Sequence, residues 1–319
     1  MSLDTAAAGS LGAVRVVGTG LLGTSVGLGL VTSGVRVWLA DPSPTSLALA
    51  RDLGAGEPDP GTGEPDLIVV AAPPDVTAAV VAEELRAHPG ATVTDVASVK
   101  SGPLRELTRF GADLSRYVGG HPMAGRDRSG PVAARGDLFL GRPWVVCPGP
   151  GAGAGRVEAV QRLALALGAV PAPMGAEEHD AAVALVSHVP QIAASLVAAR
   201  LRQAGDSAVA LSGQGLRDVT RIAGSDPMLW SQILSANAGP VVQVLRQLRD
   251  DLDGVVTALA ALDAEEPEAP AEGARAAVAR AVADGNAGRA RIPGKHGGAP
   301  TSYTVLTVLV PDRPGALGG

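Results

Sequence analysis

The run Gly18-Thr19-Gly20-Leu21-Leu22-Gly23 limits what this chain can fold into more than any other feature. It is a G-x-G-x-x-G that follows the apolar segment 14–17 and opens a helical one, the context that gives the pattern meaning. The first glycine permits a tight turn, the second lets backbone approach a pyrophosphate, and the third lets helix and strand close up. The helix start adds unpaired N–H groups and the positive end of a dipole. Asp41 closes the next apolar run, where a carboxylate accepts hydrogen bonds from adenosine ribose hydroxyls and repels a 2′-phosphate. The expectation is a Rossmann-type domain holding NAD through Gly18, Thr19, Gly20, Leu21, Leu22, Gly23 and Asp41. The bland alternative is a glycine-rich structural turn followed by a solvated strand-end Asp, and it leaves the agreement of strand, turn, helix and acid to chance.

The rest of the chain supports that start. Segments 14–17, 35–40, 67–72, 92–96 and 144–147 are short and almost continuously apolar. Strands of a parallel sheet covered on both faces read this way, and the intervening segments are long enough for crossover helices. Near Met174 the texture changes to Ala/Leu/Val segments at helical spacing. One covers about 177–203. Another opens at Asp226-Pro227, where Asp caps and Pro takes the first helical position. A third begins near Pro240 and carries Val241, Leu245, Leu248, Leu252, Val255, Leu259 and Leu262. That heptad-like seam needs a partner helix, from this chain or a second subunit. The expected order is a nucleotide domain over 12–173, an all-α domain over 174–292 and a linker over 293–302. The acidic, Pro-containing stretch 265–273 reads as a loop, and 303–319 as the strand and turn that begin a third domain.

Composition removes several function classes. The 319 residues carry a net charge of −6 with both signs mixed and no basic stripe, which argues against nucleic acid. The most membrane-like early segment, 21–31, is short and interrupted by Gly23, Gly27 and Gly29, so it reads as a helix packed on a sheet. The first dozen residues lack the pattern of a signal peptide. Cys147 is the single cysteine, which excludes an intramolecular disulfide and suits a reducing cytoplasm. With no Cys/His/Asp cluster at ligand spacing, no catalytic metal is expected.

Four further motifs, in order, resemble one family, the prephenate/arogenate dehydrogenases. They are Asp95-Val-Ala-Ser98-Val-Lys100, and Gly119-Gly120-His121-Pro122-Met123-Ala124-Gly125; then Glu178-His179-Asp180 with Ser187-His188-Val-Pro190-Gln191; and Arg217-Asp218-Val-Thr220-Arg221 with Ser225-Asp226-Pro227 and Trp230. Pro311-Asp312-Arg313-Pro314-Gly315 is similar to the first turn of an ACT regulatory domain. The resemblance implies a Rossmann domain followed by an all-α dimerisation domain, in the 6-phosphogluconate-dehydrogenase-like arrangement. It also implies a cytoplasmic homodimer using NAD to oxidise and decarboxylate prephenate or arogenate on the route to tyrosine. Tyrosine would be an effector or competitor.

The chemistry asks for a group that removes the C4 hydroxyl proton while hydride leaves C4 and CO₂ leaves C1. It also asks for a grip on a doubly negative substrate. The resemblance implies His121 as base with Ser98 beside it, and His188, Gln191 and Arg221 at the substrate. Structural alternatives stay open: a fixed loop histidine for His121, a helix cap for Ser98, a satisfied core histidine for His188, and a salt bridge to Asp218 for Arg221. Pro190 is expected to kink its helix and turn His188 toward the interdomain cleft. Trp230 reads as core and His179 as a structural residue at a helix start. A β-hydroxyacid dehydrogenase would need a helical-domain lysine, yet Lys100 and Lys295 are the only two lysines. A non-catalytic NAD-binding sensor would not need Ser98, His121, His188 and Arg221. Gln191, being neutral, favours a keto over an amino side chain on the substrate and so prephenate over arogenate, but the sequence leaves arogenate and amino-substituted prephenate analogues open as substrates.

Overall fold

The computed structural model describes residues 11–125, 130–263 and 273–293. The expected third-domain start at 303–319, and all of the loop 265–273 but its last residue, lie outside the described residues. The chain divides into two compact units, Met1–Leu248 and Arg249–Gly319, and every candidate site residue belongs to the first.

That first unit opens with β1 (Ala13–Val17), α1 (Leu21–Thr32), β2 (Arg36–Ala40), α2 (Pro44–Asp52), β3 (Glu57–Pro58), β4 (Leu67–Val70), α3 (Thr77–Ala87), β5 (Thr92–Asp95) and α4 (Ser101–Arg109). The five strands form a parallel sheet in the order β3-β2-β1-β4-β5. The apolar run of β4 shows why both faces must be covered. Leu67 and Val69 enter one core with Val14, Val16, Leu30 and Leu163, while Ile68 and Val70 enter another with Val81, Leu85, Leu107 and Tyr117. Alternation along a strand sends neighbours to opposite faces, so a two-sided core leaves no polar position.

One expectation about the sheet needs correcting. The segment 144–147 is a buried strand, but not of the parallel sheet. As β7 (Pro143–Pro148) it belongs to a three-stranded sheet with β6 (Val118–Pro122) and β8 (Val170–Pro173), and it runs antiparallel to β6. Among the described residues between β6 and β7 there is no crossover helix of the kind a parallel pairing needs, which is consistent with the reversal. A parallel bridge from Val93 to Tyr117 sets the start of β6 beside β5. The carboxyl end of β6, with His121, therefore lies at the carboxyl ends of the parallel strands. Between β7 and β8 lies α5 (Ala154–Ala166).

The helical region follows: α6 (Ala176–Val183), a π-helical turn Ala184–His188, α7 (Val189–Arg200), α8 (Asp206–Ala210), α9 (Gln214–Thr220), α10 (Pro227–Ala236) and α11 (Ala238–Asp263). The predicted opening of α10 is observed, with the Asp226 carboxylate accepting from the backbone N–H of Met228 and Leu229. Pro190 cannot donate in a helix. The backbone accommodates it by widening into the π turn one residue before α7, a local expansion common at functional sites. The span Ala176–Gln203 is long and apolar enough to cross a membrane by length and composition, yet it holds the buried polar residues His179, Asp180, His188 and Gln191. Along α11 the seam is inward-facing only at its start: Val241 is buried in a small core with Ala184 and Val189, whereas Leu248, Leu252 and Leu259 are exposed. In the second unit, α12 (Ala274–Ala290) has no buried residue.

Candidate active site

The glycine loop is built as its sequence requires. Gly18 has φ +98°, and a Cβ there would come within 2.5 Å of the Ala71 carbonyl oxygen. A Cβ on Gly23 would collide with the Gly18 carbonyl, so this glycine is what lets α1 sit against the turn. Gly20 is different: a Cβ would meet no protein atom within 4 Å, so packing within the chain does not call for glycine there. The requirement it meets is close approach by something outside the chain. Gly20 opens α1 with no side-chain cap and no acid in the first turn, which leaves N–H groups and dipole for an anion. These residues fit a dinucleotide pyrophosphate. Asp41 does more than wait for a ribose. Its Oδ2 accepts from the Thr19 N–H at 2.6 Å and the Thr19 hydroxyl at 2.8 Å, and its Oδ1 accepts from Ser43 N–H at 2.8 Å.

A second cluster forms where β5, β6 and α6 meet. Lys100 and Asp95 form an ion pair and are both buried. The Lys100 ammonium also donates to the Gly120 carbonyl at 2.6 Å, and the Tyr117 hydroxyl donates to Asp95 Oδ2 at 2.6 Å. Burial, reinforced by Asp95, raises the Tyr117 pKa, so the phenol stays a donor. Gly120 leaves no room for a side chain, since a Cβ would lie 2.5 Å from the Asp95 carbonyl oxygen. The Asp and Lys of the first motif and the paired glycines of the second thus describe one tie between β5 and β6. That tie fixes the backbone immediately before His121.

His121 lies on β6, in register with Val145, and not in a loop. Its Nδ1 is 2.8 Å from Nε2 of His179, and the two rings meet edge to face with centroids 5.1 Å apart. His179 Nδ1 is in turn 2.8 Å from Asp180 Oδ1. His179 is fully buried near the start of α6, as a structural residue there would be, and it is also His121's direct partner. Asp180 also accepts from the backbone N–H groups of Lys100 at 2.8 Å and Ser101 at 2.9 Å. It therefore caps α4 from another element, in the role considered for Ser98. Ser98 lies part-buried in the turn after β5, and among the described residues its hydroxyl makes no hydrogen bond.

These contacts set the charges. Burial lowers the His121 pKa well below that of a free imidazole, and the Lys100 ammonium, His179 and His188 push the same way against Asp180. Burial opposes ionisation of Asp180, but hydrogen bonds from His179, Lys100 N–H and Ser101 N–H outweigh it and hold the carboxyl below its ordinary value.

His188 is buried on the π turn, and burial lowers its pKa. Asn237, between α10 and α11, was not foreseen as a site residue. Its Nδ2 donates to the Asp180 carbonyl at 2.8 Å and lies 3.1 Å from His188 Nδ1. An amide that donates to both leaves His188 Nδ1 as acceptor and Nε2 protonated. Trp230 stands edge-on to His188, with ring centroids 6.1 Å apart. Gln191, one helical turn on, is buried and within 3.4 Å of the Ser195 and Ser225 hydroxyls. Arg221 is exposed in a 3-10 turn that follows α9. The alternative pairing with Asp218 is not seen: Asp218 accepts from Gln214 Nε2 at 2.8 Å, and among the described residues Arg221 makes no ion pair. A cavity of about 750 Å³ lined by Gly12, Asp66, Gly90 and Arg156 lies at the amino ends of the strands and touches none of these residues.

Comparison with known proteins points to one family. A family model described as "Prephenate dehydrogenase, nucleotide-binding domain" matches residues 26–172, and one described as "Prephenate dehydrogenase, dimerization domain" matches 175–268. The Streptomyces niveus "Probable prephenate dehydrogenase NovF" is 41% identical over 305 residues, covering 95% of this chain and 83% of that protein. The Bacillus subtilis prephenate dehydrogenase is 29% identical, covering 95% and 82%. The crystal structure of the Aquifex aeolicus prephenate dehydrogenase with hydroxyphenyl propionate and NAD+ superposes with a TM-score of 0.74 at 26% identity, covering 88% of this chain and 98% of that one. The glycine loop, the histidine cluster and these likenesses together place the chain in the prephenate dehydrogenase family.

Proposed function

We propose that this chain oxidises and decarboxylates prephenate to 4-hydroxyphenylpyruvate, with His121 as the base and NAD as the cofactor. The observation that carries the reading is the placement of His121: at the carboxyl end of β6, backed by a buried hydrogen-bond network, and kept neutral by its surroundings. A neutral imidazole can take the C4 hydroxyl proton as the C4–H bond breaks and CO₂ departs from C1. NAD, when bound, supplies the acceptor for the hydride. The chain's own part is to hold the dinucleotide on the Gly18–Gly23 loop, accept the proton and grip the anion.

We assign that grip to Arg221, whose guanidinium is free to hold a carboxylate through two hydrogen bonds, and to His188, which presents Nε2–H. Ser98, with its hydroxyl uncommitted, orients the hydroxyl or imidazole during proton transfer. Gln191 offers an amide and no charge, which favours the keto side chain of prephenate over the amine of arogenate. We take 12–173 as the nucleotide domain, 174–292 as the helical domain, and the exposed seam of α11 as the contact of a cytoplasmic homodimer. Steady-state assays with prephenate and arogenate, each with NAD, test the assignment. It predicts a higher kcat/KM for prephenate; turnover of arogenate alone would overturn it.

A further inference from the structure

The mechanism above needs His121 to present a lone pair, and an imidazole has two nitrogens of which only one carries the proton when neutral. We infer that His179 and Asp180 are positioning residues that fix His121 in the Nδ1–H form, leaving Nε2 as the proton acceptor, and that couple the charge formed there to the Asp180 carboxylate. This rests on the reading of His121 as the base.

The assignment follows from one fixed end. Asp180 is an acceptor on both oxygens, since the N–H groups of Lys100 and Ser101 donate to it. These belong to the start of α4, whose dipole favours a negative charge at that point. The carboxyl is held below its ordinary range, so at neutral pH it has no proton to give. His179 Nδ1, 2.8 Å from Oδ1, must therefore be the donor. With a single ring proton, committed to Asp180 at Nδ1, His179 has a lone pair on Nε2, and His121 Nδ1, 2.8 Å away, donates to it. With its Nδ1 proton committed, His121 can accept only at Nε2.

The same chain serves the step itself. When the substrate hydroxyl proton arrives at His121 Nε2, the ring becomes an imidazolium carrying a proton on each nitrogen. The groups facing it are Lys100, His179, His188 and Asp180, and of these only Asp180 favours the positive charge. His179 connects that carboxylate to the ring through two hydrogen bonds in series. Without His179, the ring would be free to rotate or to take the other tautomer, and the countercharge would lose its contact.

Two measurements test this. Histidine-selective nitrogen NMR of the unmodified protein with NAD, above the pH at which His121 titrates, should find His121 and His179 both protonated on Nδ1. A proton on Nε2 of His121 would overturn the inference, whatever the substrate proves to be. In kinetics, His179→Ala should lower kcat about 10²-fold with the KM for NAD unchanged, and move the acidic limb of kcat/KM to a different pH. His179→Asn, which can still accept from His121 Nδ1–H, should recover part of the loss. A kcat within about threefold of the parent and an unmoved limb in a folded His179→Ala protein would refute it. Loss of all prephenate turnover by the unmodified enzyme would instead count against the proposed function.

Discussion

The Asp180 carboxylate accepts the backbone N–H of Lys100 at 2.8 Å, so a residue of the first helix in the helical region caps the helix that follows β5. No side chain within α4's own segment performs that task. One carboxylate thereby joins the helical region to the nucleotide-binding sheet and reaches the site through His179.

Asp180→Ala should therefore destabilise the protein by about 2 kcal/mol or more, the combined cost of a lost cap and buried donors left unpaired. Because the folded-state pKa of Asp180 is lowered, its stabilisation is present above the ordinary carboxylate pKa and fades as pH falls through the lower folded value. Urea unfolding of parent and variant at several pH values measures this. The gap between them should shrink below about pH 4; a gap independent of pH would exclude a charged Asp180 as the cause.

Asp41 should make the enzyme prefer NAD over NADP, because a 2′-phosphate would face its carboxylate. Asp41→Ser should narrow that preference. It should also weaken binding of NAD itself, since the same carboxylate holds the Thr19 N–H and hydroxyl. A rise of about tenfold in the KM for NAD would match the loss of one charge-assisted hydrogen bond. Equal use of both cofactors by the unmodified enzyme would defeat the assignment.

Much of this was legible in the residues. The two-sided core of β4 follows directly from an uninterrupted Leu-Ile-Val-Val, and the turn at Gly18 from a spacing with few other uses. The start of α10 was readable because Asp226 caps locally. What the sequence hid was non-local. Nothing near Ser98 says that α4 is capped by Asp180, and nothing near Asn237 separates a helix-break residue from the partner of His188. His179 was visible in its motif, but its role depends on β6 and α6 meeting. The strand β6 was itself masked by its glycines, which weaken strand propensity yet are demanded here by the Asp95 carbonyl.

Exposed leucines on α11 predict self-association. Leu248, Leu252 and Leu259 are 44%, 58% and 50% exposed on one helix, an apolar stripe that water does not favour. Light scattering at micromolar concentration should report a dimer, and Leu252→Glu with Leu259→Glu should yield a monomer. A monomeric parent protein would contradict the assignment of this seam.

Arg221→Ala should raise the KM for prephenate far more than it lowers kcat, if the guanidinium grips a carboxylate equally in ground and transition states. Loss of a charge-assisted pair costs about 2–4 kcal/mol, or roughly 30- to 1,000-fold. An effect confined to kcat would assign Arg221 to the chemical step.

The most direct test of the account is the pH dependence of kcat/KM for prephenate in the parent enzyme and His121→Asn. A free imidazole would set an acidic limb at about 6 to 7. Burial and the Lys100 ammonium favour the neutral ring, so the limb should fall below that range: activity is retained while His121 is unprotonated and lost as pH drops through its lowered pKa. His121→Asn should lose about 10²–10⁴-fold in kcat, with little change in KM, and the limb should vanish. Near-full kcat with the same acidic limb in His121→Asn would show that His121 is not the base.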